Sequence, residues 1–320
     1  MNNKLTGGGG QRDRSLDILS GIFIIYMIIS HILQMNNLTG TSLYTISTRI
    51  LFPFMAFFFW KSGWFYKDIK VQVLLKKDFR KLLKPYLVWV LISFFYETTI
   101  ELYHQTLFLN WKCFIKDIIL IESPSSNAAL WFLPTLLLCQ IIFRITKRYM
   151  ETLIICLLSF VIAWGINIKG ICYPIWIGNV PYALTFYSLG HLMKTKELKN
   201  IISIAVVFAI IYIIFPNYVG ARDNVFVYGN CYPLAITCSM AFIVLYYSIL
   251  RKLNIHQNLL SFIGRNSMVF YISHYIFLVI CTKLLVHWGI SNIIVAIVSG
   301  LLLIPYFFLI VKTNKYIRLY

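Results

Sequence analysis

Residues 16–34 read Leu16-Asp17-Ile-Leu-Ser20-Gly21-Ile-Phe-Ile-Ile-Tyr-Met-Ile-Ile-Ser-His31-Ile-Leu-Gln34, an apolar run long enough to cross a bilayer as a helix. Across the chain, 59% of residues are hydrophobic, 17% aromatic and 12% charged, and the mean hydropathy is +0.76. Soluble domains carry about twice that share of charge. The other apolar runs are of similar length and lack the period-2 alternation of a membrane barrel. The sequence therefore predicts an all-α integral membrane protein, a bundle of about ten transmembrane helices. The expected spans are Leu16–Gln34, Leu43–Phe65, Pro85–Leu102, Ala128–Phe143, Thr152–Asn167, Val180–Met193, Ile201–Phe215, Tyr232–Leu250, Ser267–Leu285 and Asn292–Ile310.

Charge fixes the expected orientation. With both termini cytoplasmic, 22 Lys and Arg fall on inner segments and 5 on outer ones, with Arg49 and Lys61 inside the second span. The net charge of +18 is thus a topology signal and not a nucleic-acid footprint. A multi-pass protein of the cell inner (plasma) membrane is expected. Residues 1–11 read as a flexible cytoplasmic tail and residues 12–320 as one membrane domain. The first apolar run is too long for a cleaved signal peptide and lacks a small-residue cleavage site. The seven cysteines form no C-x-x-C pair, so metal ligation is not expected; an outer-loop Cys172–Cys231 bridge is a minor alternative. The segment from Trp111 to Ile119 fits a short amphipathic helix in the outer interface.

An ionisable residue inside a span is a functional hypothesis by default. His31 can take and return a proton near neutral pH; its structural alternative is a hydrogen bond between helices. Asp17 lies about 21 Å below it on the same helix stripe, in a first turn where the helix dipole favours a carboxylate. Lys61 ends the second span beside Ser62-Gly63, a pair that permits close helix approach. It either snorkels to the cytoplasmic surface or meets an anion there. The loop from Lys67 to Lys84 holds seven basic residues, which suit anionic lipid headgroups or a phosphate-bearing cosubstrate. Trp131 reads as a membrane anchor. In the ninth span, Asn266 or Ser267 suits an N-cap. His274 is placed about 10 Å into that span, at a different depth from His31.

These landmarks resemble the acyltransferase-3 family of integral membrane O-acyltransferases, especially its short sugar O-acetylase branch. Arg14, Leu16-Asp17, Gly21 and His31 match its opening motif. Met55, Phe58-Phe59 and Ser62-Gly63 match the second, and Arg80…Pro85-Tyr86 resembles the third. Leu130-Trp131-Phe132-Leu133 and Gly264…Asn266-Ser267…Tyr271…His274 resemble the last two. The resemblance implies His31 as catalytic base and cytosolic acyl-CoA as cosubstrate, acetyl-CoA above all, with Arg14, Lys61 and Arg80 toward its phosphates. It implies supporting positions at Asp17, Ser62, Trp131, Asn266, Tyr271 and His274. The acceptor would be a hydroxyl on a cell-surface glycan or lipid-linked sugar, amid membrane lipids. No bound cofactor, metal or nucleic acid is expected, and transfer would occur within the membrane domain.

Two departures stand out. Ser20 occupies a position where the family often has Arg, and Phe54 one where it often has His. Arg14 or Lys61 would have to supply the missing cation. A glycan or lipid translocator, or a catalytically silent membrane partner of a polysaccharide pathway, is the competing reading.

Overall fold

Asp13 starts the first helix. Its Oδ1 accepts from the backbone N–H groups of Ser15 and Leu16 at 3.0 and 3.2 Å, and Tyr247 Oη donates to its other oxygen at 2.6 Å. Capping of this kind satisfies donors that a helix leaves unpaired. The computed structural model describes residues 13–103, 110–120, 123–170, 175–194, 199–215, 221–222, 227–228, 231–253, 255 and 258–317. The expected tail and Cys172 lie outside them.

Helix α1 (Arg14–Met35) is apolar nearly all round, and 78% of its span is buried. A helix of that composition belongs in the interior. The others follow as α2 (Ser42–Leu51), α3 (Phe54–Trp64), α4 (Val71–Asp78), α5 (Lys84–Tyr103), α6 (Asn110–Leu120), α7 (Phe132–Lys147), α8 (Thr152–Lys169), α9 (Ile175–Met193), α10 (Lys199–Ile214), α11 (Tyr232–Leu253), α12 (Asn258–Arg265), α13 (Ser267–His287) and α14 (Asn292–Ile317). A π-helical turn (Phe79–Leu83) joins α4 to α5, and a 3₁₀ turn (Ser125–Trp131) leads into α7. A ribbon of two short strands, β1 (Ala221–Arg222) and β2 (Val227–Tyr228), pairs antiparallel.

Among the described residues, seven helical stretches are long and apolar enough to cross a membrane: Arg14–Met35, Ser42–Trp64, Ser125–Lys147, Thr152–Lys169, Tyr232–Leu253, Ser267–His287 and Asn292–Asn314. The three other expected spans coincide with α5, α9 and α10, which do not meet that standard. The periphery is greasy. Only 17% of the α14 span is buried, and Ile293, Ile297, Leu301 and Ile304 face outward. Such an exposed apolar surface is stable in lipid and not in water.

The second span is broken. Pro53 has no N–H to give, and the chain turns at Phe52-Pro53 between α2 and α3. Helix α6 also departs from expectation. It folds back along α5, with Phe114 and Phe94 ring centroids 4.4 Å apart and Tyr86 donating to the Asp117 carbonyl at 3.0 Å. Those contacts along α5 hold it as a hairpin arm and not as a helix lying across the outer surface.

Two glycine crossings set the interior. A Cβ on Gly264 would sit 1.7 Å from the Asp17 carbonyl oxygen, which fixes α12 against the first turns of α1. A Cβ on Gly63 would sit 1.8 Å from the Tyr187 carbonyl oxygen, so α3 meets α9 backbone to backbone, as the Ser62-Gly63 pair predicts.

Candidate active site

The α12 shelf decides where α13 begins. Ser267 lines the same cavity as Lys61, and Lys61 Nζ donates to Ser20 Oγ at 2.5 Å. Ser20 is six residues into α1, so α13 starts roughly 9 Å beyond the start of α1. Counting depth from each helix start therefore misplaces His274. The expectation of separate depths is corrected: the His31 and His274 rings are neighbours, with centroids 5.4 Å apart. Tyr275 closes on His31 edge to face at 5.1 Å.

His274 is fully buried. Its Nδ1 lies 2.7 Å from the Tyr271 carbonyl oxygen and 3.0 Å from that of Phe270. Both partners are acceptors, so Nδ1 carries the proton. In the neutral ring Nε2 is then an acceptor, and among the described residues it has no hydrogen-bond partner. On the other side, the Gln34 side chain stands beside His31. The Gln34 amide nitrogen donates to Tyr44 Oη at 2.9 Å.

The 3₁₀ turn holds this stretch of α13 from a third side. Asn127, fully buried, donates from Nδ2 to the Ile272 carbonyl at 3.0 Å, and Tyr271 Oη donates to the Ala129 carbonyl. Sequence reasoning passed over Asn127; a polar residue at the edge of an apolar run, behind Ser-Pro-Ser-Ser, was the available signal. Trp131 is not an anchor. It is buried, with ring centroids 6.4 Å from Phe59 and 6.2 Å from Phe132. Asn266 sits at the start of α13, but its amide donates back to the Phe262 carbonyl of α12 at 2.9 Å and does not cap α13.

Lys61 does not snorkel outward. Its ammonium meets Ser20 Oγ, which in turn donates to the Leu16 carbonyl at 2.6 Å, and it lies 3.9 Å from Asp17 Oδ1. A cation from α3 thus stands beside the α1 position that lacks one. Arg14 points elsewhere, donating to Asn258 Oδ1 at 2.6 Å on the exposed side. Arg80 is exposed on the π-helical turn and lines neither of the cavities described here.

A cavity of about 300 Å³ runs from Lys67 and Lys77 on the basic α3–α5 connection down to Lys61, Ser62, Phe132 and Met268. From its floor an aromatic file leads to the histidines. Phe132 lies 5.1 Å from Tyr271, Tyr271 6.2 Å from His274, and His274 5.4 Å from His31. Along α1, Ser20 and His31 are about 16 Å apart. At the cavity wall Gln140, with its amide nitrogen turned inward, donates to both oxygens of buried Asp78 at 2.8 and 3.2 Å. Burial pushes the Asp78 carboxyl up to about 6, against the opposing pull of Lys77 and Lys81.

Among the described residues no group of three His, Cys, Asp or Glu side chains could hold a metal. The arrangement can do proton chemistry at the histidine pair and hold an anionic group near the lysines. No curated protein and no solved structure matches the chain. The sequence model of the acyltransferase domain (Acyl_transf_3) matches residues 13–312, from the capping Asp13 into the last apolar helix. By that match the chain belongs to the acyltransferase-3 family and is a multi-pass membrane acyltransferase.

Proposed function

We propose that the protein moves an acetyl or other short acyl group from acyl-CoA to a hydroxyl of a cell-surface glycan or lipid-linked sugar, at the inner membrane. The donor enters from the cytoplasm, past Lys67 and Lys77 at the mouth of the 300 Å³ cavity. Its thin arm follows the Phe132–Tyr271 side toward His31. His31 removes the acceptor hydroxyl's proton as the oxygen attacks the thioester carbonyl, and the proton passes on to the departing thiolate. General-base assistance of this kind is worth about 10²–10⁴-fold. Gln34, tied to Tyr44, stands beside His31, and the unpaired His274 Nε2 offers the hydroxyl an acceptor.

The observation that carries this reading is the juxtaposition of His31 and His274 inside the helical bundle. Two imidazoles side by side in an apolar surround are costly unless used. Lys61, beside Ser20 and Asp17, supplies the positive charge that α1 lacks at this level. The test is surface-glycan mass with wild-type protein, with His31→Ala and with neither. One acetyl increment per modified sugar, present only with the wild type, is the expected result. An unchanged glycan in the presence of well-inserted wild-type protein overturns the acceptor. Normal acetylation by His31→Ala overturns the base.

A further inference from the structure

The donor cavity has a neighbour. A second cavity, about 490 Å³, shares Tyr66 and Ile69 with it and is lined by Asp68, Lys70, Arg144, Lys147 and Arg148. Four cations thus face a single carboxylate. Arg144 is the unusual member, because its guanidinium is buried near the end of α7. Nη1 donates to Tyr66 Oη and to Asp68. Nε and Nη2 have no partner among the described residues. Tyr66 lies under the guanidinium, 5.1 Å from ring centre to Cζ.

Basic residues at a helix C-terminus commonly serve the helix dipole and its last carbonyls. Arg144 does neither here. Nη1 reaches across to Tyr66 and Asp68 on the α3–α4 connection, and Nε and Nη2 remain unmatched among the described residues. A buried guanidinium with open donors calls for a ligand with several acceptor oxygens, and the fork geometry of Arg suits phosphate. Asp68 meets Arg144 with one oxygen, and its own side chain is 93% exposed. It is a weak occupant, held from the solvent side.

We propose that this second cavity is a phosphate-binding site, in which the pyrophosphate of a nucleotide-bearing donor displaces Asp68 from Arg144. The assignment of the ligand to the acyl donor rests on the function proposed above. It divides the donor between two adjoining cavities. The nucleotide head sits by Arg144, Lys147 and Arg148, and the arm passes Tyr66 and Ile69 into the Lys61 cavity.

The test is calorimetric titration of the full-length protein in phosphatidylcholine nanodiscs with sodium pyrophosphate and, separately, with CoA. Both ligands are expected to bind. The double variant Lys147→Gln, Arg148→Gln, at the accessible rim, should weaken both by about tenfold or more. Asp68→Asn should tighten both several-fold, a gain that a merely structural role would not produce. If CoA binds the wild type and neither variant changes it, the cavity assignment fails while the donor reading stands. If pyrophosphate binds and responds to both variants but CoA does not bind, the phosphate site stands and the acyl-CoA reading fails. Binding of neither overturns both. A lipid headgroup is separated by repeating the titration in phosphatidylglycerol discs. Retained binding supports the soluble ligand, and loss confined to those discs gives the site to lipid and overturns it.

Discussion

The imidazoles of His31 and His274 lie 5.4 Å apart, on two helices whose first residues are not level with each other. His274 is tied through Nδ1 to two carbonyls of its own helix. His31 is free of such a tie and has Gln34 on one side. Of the two, His31 is the ring proposed to exchange a proton with a substrate. His31→Ala should insert and unfold like the wild type and lose about 10²–10⁴-fold in acyl transfer. Turnover of labelled acetyl-CoA by purified protein, read beside a thermal scan, checks both halves.

Lys61 and Asp17 form a pair with little access to water, their side chains 18% and 5% exposed. Removing one partner takes away part of the other's compensation, at a cost below the about 3–5 kcal/mol of a fully buried pair. Lys61→Met should therefore lower the unfolding temperature, and adding Asp17→Asn should restore part of it. On the donor role proposed for Lys61, activity should not return with stability. A double-mutant cycle on unfolding, with donor KM measured alongside, separates the two effects. Recovery of both together would assign Lys61 to structure alone.

Much of the bundle was legible because length and hydropathy are enough to identify a span. The Ser62-Gly63 approach was legible for the same kind of reason, since a residue without a side chain marks a backbone contact. The depth of His274 was not. It depends on α12, an eight-residue helix too short to announce its position, which shifts the start of α13 along α1. Trp131 misled because an aromatic at the head of a span looks the same whether it faces headgroups or Phe59. Arg144 sits among the cations that read as inner-segment charge. Its eleven-residue spacing from Leu133, buried on the same helix, puts it on an inward face of α7.

The α1–α12 crossing makes a sharp steric prediction. A methyl group on Gly264 would meet the Asp17 carbonyl carbon at 2.7 Å as well as its oxygen at 1.7 Å, and both atoms belong to backbone. Neither can rotate away, so the helices must separate. Overpacking of this kind typically costs about 1–3 kcal/mol. Gly264→Ala should lower the unfolding temperature and, by letting α13 slide, reduce acyl transfer more than the stability loss explains. Gly289, with nothing within 4 Å of a Cβ but with φ at +73°, is the control for backbone strain without crowding. Gly289→Ala should reduce stability and spare the chemistry of the folded fraction.

Asp78 supplies the pH dependence. Its carboxyl titrates near 6 in the folded protein against an ordinary value of 3.8, because burial disfavours the charged form more than Lys77 and Lys81 favour it. The folded state therefore holds the proton more tightly than the unfolded state. Stability from this group is fully present below pH 3.8 and is lost as pH rises toward about 6. Asp78→Asn keeps a neutral side chain at every pH. Its thermal midpoint relative to wild type should be nearly unchanged at pH 4 and clearly higher at pH 7.5, with the difference opening between those values. Gln140 faces Asp78 across the cavity wall and donates to both of its oxygens, so Gln140→Leu should push the Asp78 carboxyl higher still. The difference would then open from the same pH but continue to a higher pH and reach a larger final value. An Asp78→Asn profile parallel to wild type from pH 4 to 7.5 would mean that the carboxylate ionises without penalty.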